Sequence, residues 1–246
     1  MIAVEPGTVV VYTDVACGWS TVVLHRFYRE REKAGLTRAL RVDHRLFALE
    51  EVNGLPIPKR VIDAEVSVLG ALEPDFGWKP WQADSSTWPG TSLPANEAVH
   101  AAKEQSLRAG EELDMAIRRA FFCDSRPIHL VHELCAVARG CPSVDAAALA
   151  DALDAGTARE QMMRDFRAHV NEVQGSPHLF LPDGSDVHNP GITLNWVGRP
   201  GVGFPVVESD DPHALRTSCG GRPDKRGRAE PWACPGRARF VVSVCG

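Results

Sequence analysis

Cys17-Gly18-Trp19-Ser20 is the segment of this chain best suited to chemistry. It follows the apolar run Thr8-Val9-Val10-Val11-Tyr12 and precedes residues with helical spacing. A β-branched strand turning into a helix puts Cys17 at the helix N-terminus, where unpaired backbone N–H groups and the positive end of the helix dipole favour a thiolate. The chemistry in prospect is sulfur nucleophilicity. A second thiol three residues on would allow a dithiol cycle, but the chain has Ser20 there. A hydroxyl can hydrogen-bond a thiolate and lower its pKa, yet it cannot attack a mixed disulfide, so a monothiol cycle with an external thiol is what remains.

The other candidate nucleophiles and bases read as structural. Cys123 and Cys135 lie in amphipathic helical patterns, where cysteine is commonly a small buried hydrophobe. The seven cysteines, at 17, 123, 135, 141, 219, 234 and 245, match neither a zinc pattern nor a secreted disulfide framework. A stable Cys135–Cys141 bridge is not expected in a reducing compartment. His25 lies eight residues beyond Cys17 on the same helix, roughly 12 Å by rise, too far to be its base. Tyr12 and Asp14 read as packing and turn residues. No Gly-rich phosphate loop or clustered His and Cys pattern calls for a nucleotide or a metal, so neither is expected.

The elements that must position Cys17 follow from periodicity. Thr8 to Thr13 reads as a buried strand, and Val22, Val23, Leu24 and Phe27 recur at helical spacing to about Glu32. The alternating segment from Leu40 to Leu46 then makes a second strand and a right-handed βαβ unit. Residues 51–93, rich in Pro and Gly, read as a long loop pinned by Trp78, Trp81 and Trp88, with an aromatic lip over the active site as the alternative. Helices are expected from Ser92 to about Leu107, along the Leu113, Ile117, Ala120, Phe121 face, along the Ile128 to Ala138 stripe, over 144–153, and along Met162, Phe166 and Val170. Gln174-Gly175-Ser176-Pro177 leads into a hairpin whose turn is Asp183-Gly184. Pro177 belongs at a strand entry, where a cis peptide after Ser176 is compatible. His178 reads as a strand residue facing solvent or capping the sheet.

Strand, Cys-X-X-Ser at a helix start, strand, inserted helices and Ser-Pro at a hairpin entry together resemble the DsbA-like branch of the thioredoxin superfamily. The nearest groups are the FrnE-like and 2-hydroxychromene-2-carboxylate isomerase-like proteins. Tyr12 to Ser20 is similar to that family's Asp-X-X-Cys-Pro-Trp-Cys, and Gln174 to Pro177 to its cis-proline loop. The resemblance implies an α/β thioredoxin-like fold with an inserted all-helical subdomain. Its thioredoxin-like part would span 8–50 and 172–212, its loop and helical insertion 51–171, and a poorly ordered basic tail 213–246.

It also implies roles. Cys17 would be the nucleophile with Ser20 beside it, Gly18 and Trp19 the variable dipeptide, and Ser176, Pro177 and His178 the substrate-binding edge. Gly18, where the family commonly has proline, would loosen the turn. The implied activity is thiol–disulfide exchange on a protein or small-molecule substrate, with no bound cofactor and glutathione as a cosubstrate. Alternatives are a glutathione-dependent isomerase or transferase of the kappa type, and a non-catalytic peptide-binding module.

Size and charge fit this picture. At 246 residues and 44% hydrophobic, the chain can bury a substantial core. The net charge of −5 arises from an acidic body and a basic segment from Arg216 onward, an unfavourable balance for a nucleic-acid partner. There is no apolar run of about 20 residues to cross a bilayer, and the N-terminus lacks the pattern of a secretion signal, so a cytoplasmic location is expected and a membrane partner is not.

Overall fold

The computed structural model describes residues 2–198 and 203–216. Of the expected poorly ordered tail 213–246, residues 213–216 are described and place Leu215 in the core beside α1; the remainder, with Cys219, Cys234 and Cys245, lies outside the described residues.

Strand β1 (Thr8–Thr13) is the centre of the sheet, and five of its six residues are buried, which its Val-Val-Val-Tyr sequence suits on both faces. The helix α1 (Gly18–Lys33) crosses over to β2 (Arg41–Leu46), which runs parallel to β1 and buries Val42, His44 and Leu46 in alternation. On the other side of β1, β3 (His178–Phe180) pairs antiparallel, and β4 (Asp186–His188) completes the order β2-β1-β3-β4. The β3–β4 turn is the expected one. Gly184 takes φ +81°, a conformation open to glycine, and Asp183 Oδ1 accepts the Ser185 N–H.

Two apolar layers enclose this sheet. Val9, Val11 and Leu179 pack against Val22, Val23 and Phe27 of α1. Val10 and Tyr12 face the other way, towards Phe47, Met162, Met163 and Phe166. Between β2 and β3 the chain inserts α4 (Leu93–Gln105), α5 (Leu107–Phe122), α6 (Val131–Ala138), α7 (Ala146–Ala155) and α8 (Thr157–His169). A third apolar core joins α4 to α7, with Leu113, Ile117, Phe121, Leu134 and Leu149 inside.

Two departures from the sequence reading bear on the site. The stretch 51–93 is not one long loop, because it contains α2 (Leu49–Asn53) and the 14-residue α3 (Lys59–Leu72). Ile62, Val66 and Leu69, spaced four and three apart, make the buried stripe of α3, a helical signal masked by the prolines at 56 and 58. The tryptophans after it anchor the chain to the helical core and form no lip. The Trp88 ring lies 5.3 Å from Phe121, Trp81 lies 4.9 Å from Trp88, and Trp78 lies 4.9 Å from Phe122.

The second departure is a further hairpin, β5 (Ile192–Val197) with β6 (Phe204–Asp210). The buried Arg26 of α1 ties it down, bonding Asp210 at 2.5 and 2.9 Å and Glu73, just past α3, at 2.6 Å. Thus α1, the residue after α3 and β6 share one ionic joint, buried at Arg26 and Glu73 and open to solvent at Asp210.

Candidate functional site

The turn that delivers Cys17 is built on Asp14. Its buried carboxylate accepts the Ala16 N–H at 3.0 Å, the Asn96 amide at 3.1 Å, the Ser92 hydroxyl at 3.0 Å and the Leu49 N–H at 3.2 Å. Its role is the structural one expected of it. Cys17 then occupies the N-cap of α1, with Sγ accepting the Ser20 backbone N–H at 3.4 Å. The peptide between Ser176 and Pro177 is cis, and the Cys17 thiol donates to the Ser176 carbonyl at 3.3 Å. Asp14 N–H in turn donates to Ser176 Oγ at 3.0 Å, so two distant segments meet at the sulfur.

Ser20 is turned away from a purely catalytic duty. Its hydroxyl donates to the Cys17 carbonyl at 2.9 Å and accepts from Arg118 Nη1 at 2.8 Å. Arg118, wholly buried on α5, also donates to Thr21 Oγ1, Thr13 Oγ1 and the Asp14 carbonyl, and its charge is balanced by Asp114 at 2.8 Å. This guanidinium is the floor of the site. It was missed in the sequence, where its signal is a charged pair, Asp114 and Arg118, one turn apart within an apolar face.

Helix α3 forms the wall. Leu69 packs so closely on Gly18 that a Cβ there would lie 2.3 Å from Leu69 Cδ1. The lack of a side chain at Gly18 admits α3. The Trp19 indole N–H donates to Glu65 Oε1 at 2.8 Å, and both side chains are buried. Glu65 was likewise missed, because the helix that carries it read as loop.

This wall changes the electrostatics expected of Cys17. The sulfur is buried, and burial pushes its thiol up; contacts with Ser176 and the Ser20 backbone pull the other way, while the Glu65 carboxylate adds to the rise. Burial by this wall thus opposes the pull of the helix N-terminus on the thiol. Glu65 itself is pushed up to about 7 by burial, against the pull of the Trp19 N–H.

The remaining predicted residues fall as follows. Pro177 enters β3 beside the sulfur's acceptor. His178 does not face solvent: its ring is buried, with Nδ1 accepting the Gln174 N–H at 3.1 Å and Nε2 bonded to Asp186 at 2.9 Å. Burial holds it below the usual histidine value despite that carboxylate. His25 pairs with Glu73 at 3.1 Å. Cys123, Cys135 and Cys141 are free thiols, and Cys123 donates to the Phe76 carbonyl at 3.3 Å.

A βαβ unit, a helical insertion and a cis-proline hairpin meeting at an N-cap cysteine define the DsbA-like thioredoxin fold, and the chain has that fold. Among solved structures it is similar to a probable DsbA oxidoreductase from Streptomyces coelicolor, at 23% identity over 73% of this chain and 82% of that one, with a TM-score of 0.56. It is also similar to the cytosolic disulfide reductase DsbM from Pseudomonas aeruginosa, at 17% identity, 86% and 93% coverage and a TM-score of 0.59. A 2-hydroxychromene-2-carboxylate isomerase aligns at 15% identity, 73% and 87% coverage and a TM-score of 0.55. No protein-family model and no curated protein matches the sequence.

Proposed function

We propose that the protein is a thiol–disulfide oxidoreductase that works with one cysteine. The carrying observation is the 3.3 Å contact between Cys17 Sγ and the carbonyl of Ser176, the backbone edge on which an extended thiol substrate would pair. In the reaction the Cys17 sulfur attacks a disulfide or glutathionylated substrate and one substrate thiol departs. The Cys17 mixed disulfide is then resolved by an external thiol, for which glutathione is the natural cosubstrate in a reducing compartment such as the cytoplasm. Ser20 cannot resolve it, and its hydroxyl is engaged by Arg118. Gly18 and Trp19 shape the approach, while the backbone of His178 is paired between β1 and β4 and holds the strand entry in place rather than offering an edge. The solved relatives named as oxidoreductases support this class of reaction. The working unit would be the thioredoxin-like part, 8–50 and 172–212, with 51–171 inserted into it.

The test is turnover of a glutathionylated peptide with glutathione as reductant, in the native chain and in Cys17→Ser. Turnover abolished by the substitution supports the reading; unchanged turnover removes it.

A second reading, a glutathione-dependent isomerase of the kappa type, is favoured by the burial of the sulfur. A thiol kept protonated is a hydrogen-bond donor to a bound glutathione thiolate rather than a nucleophile. Saturable glutathione binding without reduction of any disulfide would select it.

A further inference from the structure

Behind the turn that delivers Cys17, the ends of β1 and β2 meet α4, α5 and α8 around an internal cavity. His44 of β2 and His100 of α4 both line it, and both side chains are more than nine-tenths buried. His44 Nδ1 and His100 Nε2 are buried atoms with no hydrogen-bond partner among the described residues. Leaving one such atom unpaired is costly, and two around one cavity point to a polar ligand between them. The nearest carboxylates do not supply the missing bonds. Asp114 Oδ1 stands 3.6 Å from His44 Nδ1 and Glu104 Oε1 stands 3.7 Å from His100 Nε2, both beyond hydrogen-bond reach.

We infer that this cavity is a binding site for one internal water molecule, held by His44, His100 and Asp114. The space open to the centre of a water-sized sphere is about 10 Å³, which suits a single water and nothing larger. The ring hydrogen of His44 is placed by its other nitrogen. The Tyr28 hydroxyl has no other acceptor among the described residues, so it donates to His44 Nε2 at 2.9 Å and Nδ1 carries the hydrogen. The water accepts that N–H and donates to Asp114 Oδ1, which takes one bond from Arg118 Nη2 at 3.1 Å and keeps a free lone pair. Its second hydrogen goes to His100 Nε2. Three partners are the usual number for a buried water.

The other polar side chains around the cavity are occupied. The Asn96 amide donates to Asp14 and to the Ser92 carbonyl and accepts the Val15 N–H; Thr13 Oγ1 accepts from Arg118, and Arg45 is engaged by Asp43. Leu46, Val99 and Met162 supply the apolar remainder. Protonated rings drawn directly onto the carboxylates are the rival arrangement. Burial holds both histidines below the usual value, outweighing Asp114 and Glu111 near His44 and Glu104, Asp165 and Asp43 near His100; Arg118 and Lys103 act in the same direction as burial. The inference is independent of the reaction proposed for Cys17. It extends the floor of that site, since Tyr28, His44, the water, Asp114, Arg118 and Ser20 then form one hydrogen-bonded series.

Nuclear magnetic resonance of the full chain with isotope-labelled histidine tests the site without any substitution. At neutral pH, His44 should be the neutral ring protonated on Nδ1, and that proton should show direct cross-relaxation with water, of the sign that a bound molecule gives and chemical exchange does not. Water-oxygen relaxation dispersion should then count one long-lived internal water fewer in His44→Phe, which removes the donor, than in the native chain. An imidazolium at His44 or His100 at neutral pH, the mark of a direct ion pair, would overturn the site. So would a His44 Nδ1–H without water contact, or an equal water count in the two chains. Xenon, which enters dry apolar cavities, gives an independent check: shifts of the Leu46, Val99 and Met162 methyl signals on adding it would also overturn the site. If His44→Phe does not fold, the native-chain spectra and the xenon response decide alone.

Discussion

Arg118 Nη1 donates to Ser20 Oγ at 2.8 Å in the sealed floor beneath Cys17. The residue standing where a resolving thiol would be is therefore a working member of a buried polar network. A thiol is a weaker acceptor than a hydroxyl, so a cysteine here would weaken one of the bonds that hold the guanidinium, which keeps Thr21 Oγ1 and the Asp14 carbonyl.

Ser20→Ala should lower unfolding free energy by about 0.5–1.5 kcal/mol, the net worth of a hydrogen bond, because Arg118 Nη1 keeps Thr21 Oγ1 and the Asp14 carbonyl as acceptors. Ser20→Cys should also be less stable than the native chain rather than a gain of a working dithiol. Urea unfolding followed by circular dichroism checks both, and a Ser20→Ala loss below about 0.5 kcal/mol, the size of a neutral surface change, would contradict the argument.

Asp114 and Arg118 should behave as one unit. Replacing Arg118 with Met strands the buried Asp114 carboxylate and should cost about 3–5 kcal/mol. Adding Asp114→Leu should recover part of that loss, because the second change removes the stranded charge. A double-mutant cycle showing simple additivity would mean the pair is not coupled.

The contact between Gly18 and Leu69 gives a packing prediction. Gly18→Ala places its methyl 2.3 Å from Leu69 Cδ1, and a buried Leu has little room to yield, so overpacking should cost about 1–3 kcal/mol. Leu69→Ala alone should also destabilise, through the cavity it leaves. Combined, the two should cost less than their sum. Thermal unfolding of the four proteins decides it, and a Gly18→Ala chain as stable as the native one would show that α3 stands further off.

Much of this arrangement was legible in the sequence, for reasons that also explain what was not. The strand–Cys17–helix unit and the hairpin after Pro177 are local patterns of period and turn chemistry, and both stand in the structure where the residues placed them. The roles of Ser20 and Gly18 depend on Arg118 and Leu69, which lie 98 and 51 residues away in the chain. No local pattern reports such contacts. Helix α3 was hidden by the composition around it, since Pro56, Pro58 and Gly54 announce a loop just before the Ile62, Val66, Leu69 stripe begins. Missing that helix also inverted the expectation for the thiol: a helix N-terminus alone lowers a cysteine, whereas one walled in by α3 is dominated by desolvation.

Glu65 makes a stability prediction that does not depend on any activity. Its carboxyl sits near 7 in the folded chain, above the ordinary value of 4.5 it regains on unfolding. Between those values the folded protein holds the proton more tightly, so the stabilisation is fully present below about 4.5 and is lost as pH rises through about 7. The loss should be on the order of 3 kcal/mol from this one group. Glu65→Gln has no such proton to lose. Its unfolding free energy relative to the native chain should therefore improve by a similar amount between about pH 5 and pH 8, measured as the difference of two urea titrations at each pH. A difference that stays constant across that interval would mean Glu65 is ionised throughout, in contact with water rather than sealed against Trp19.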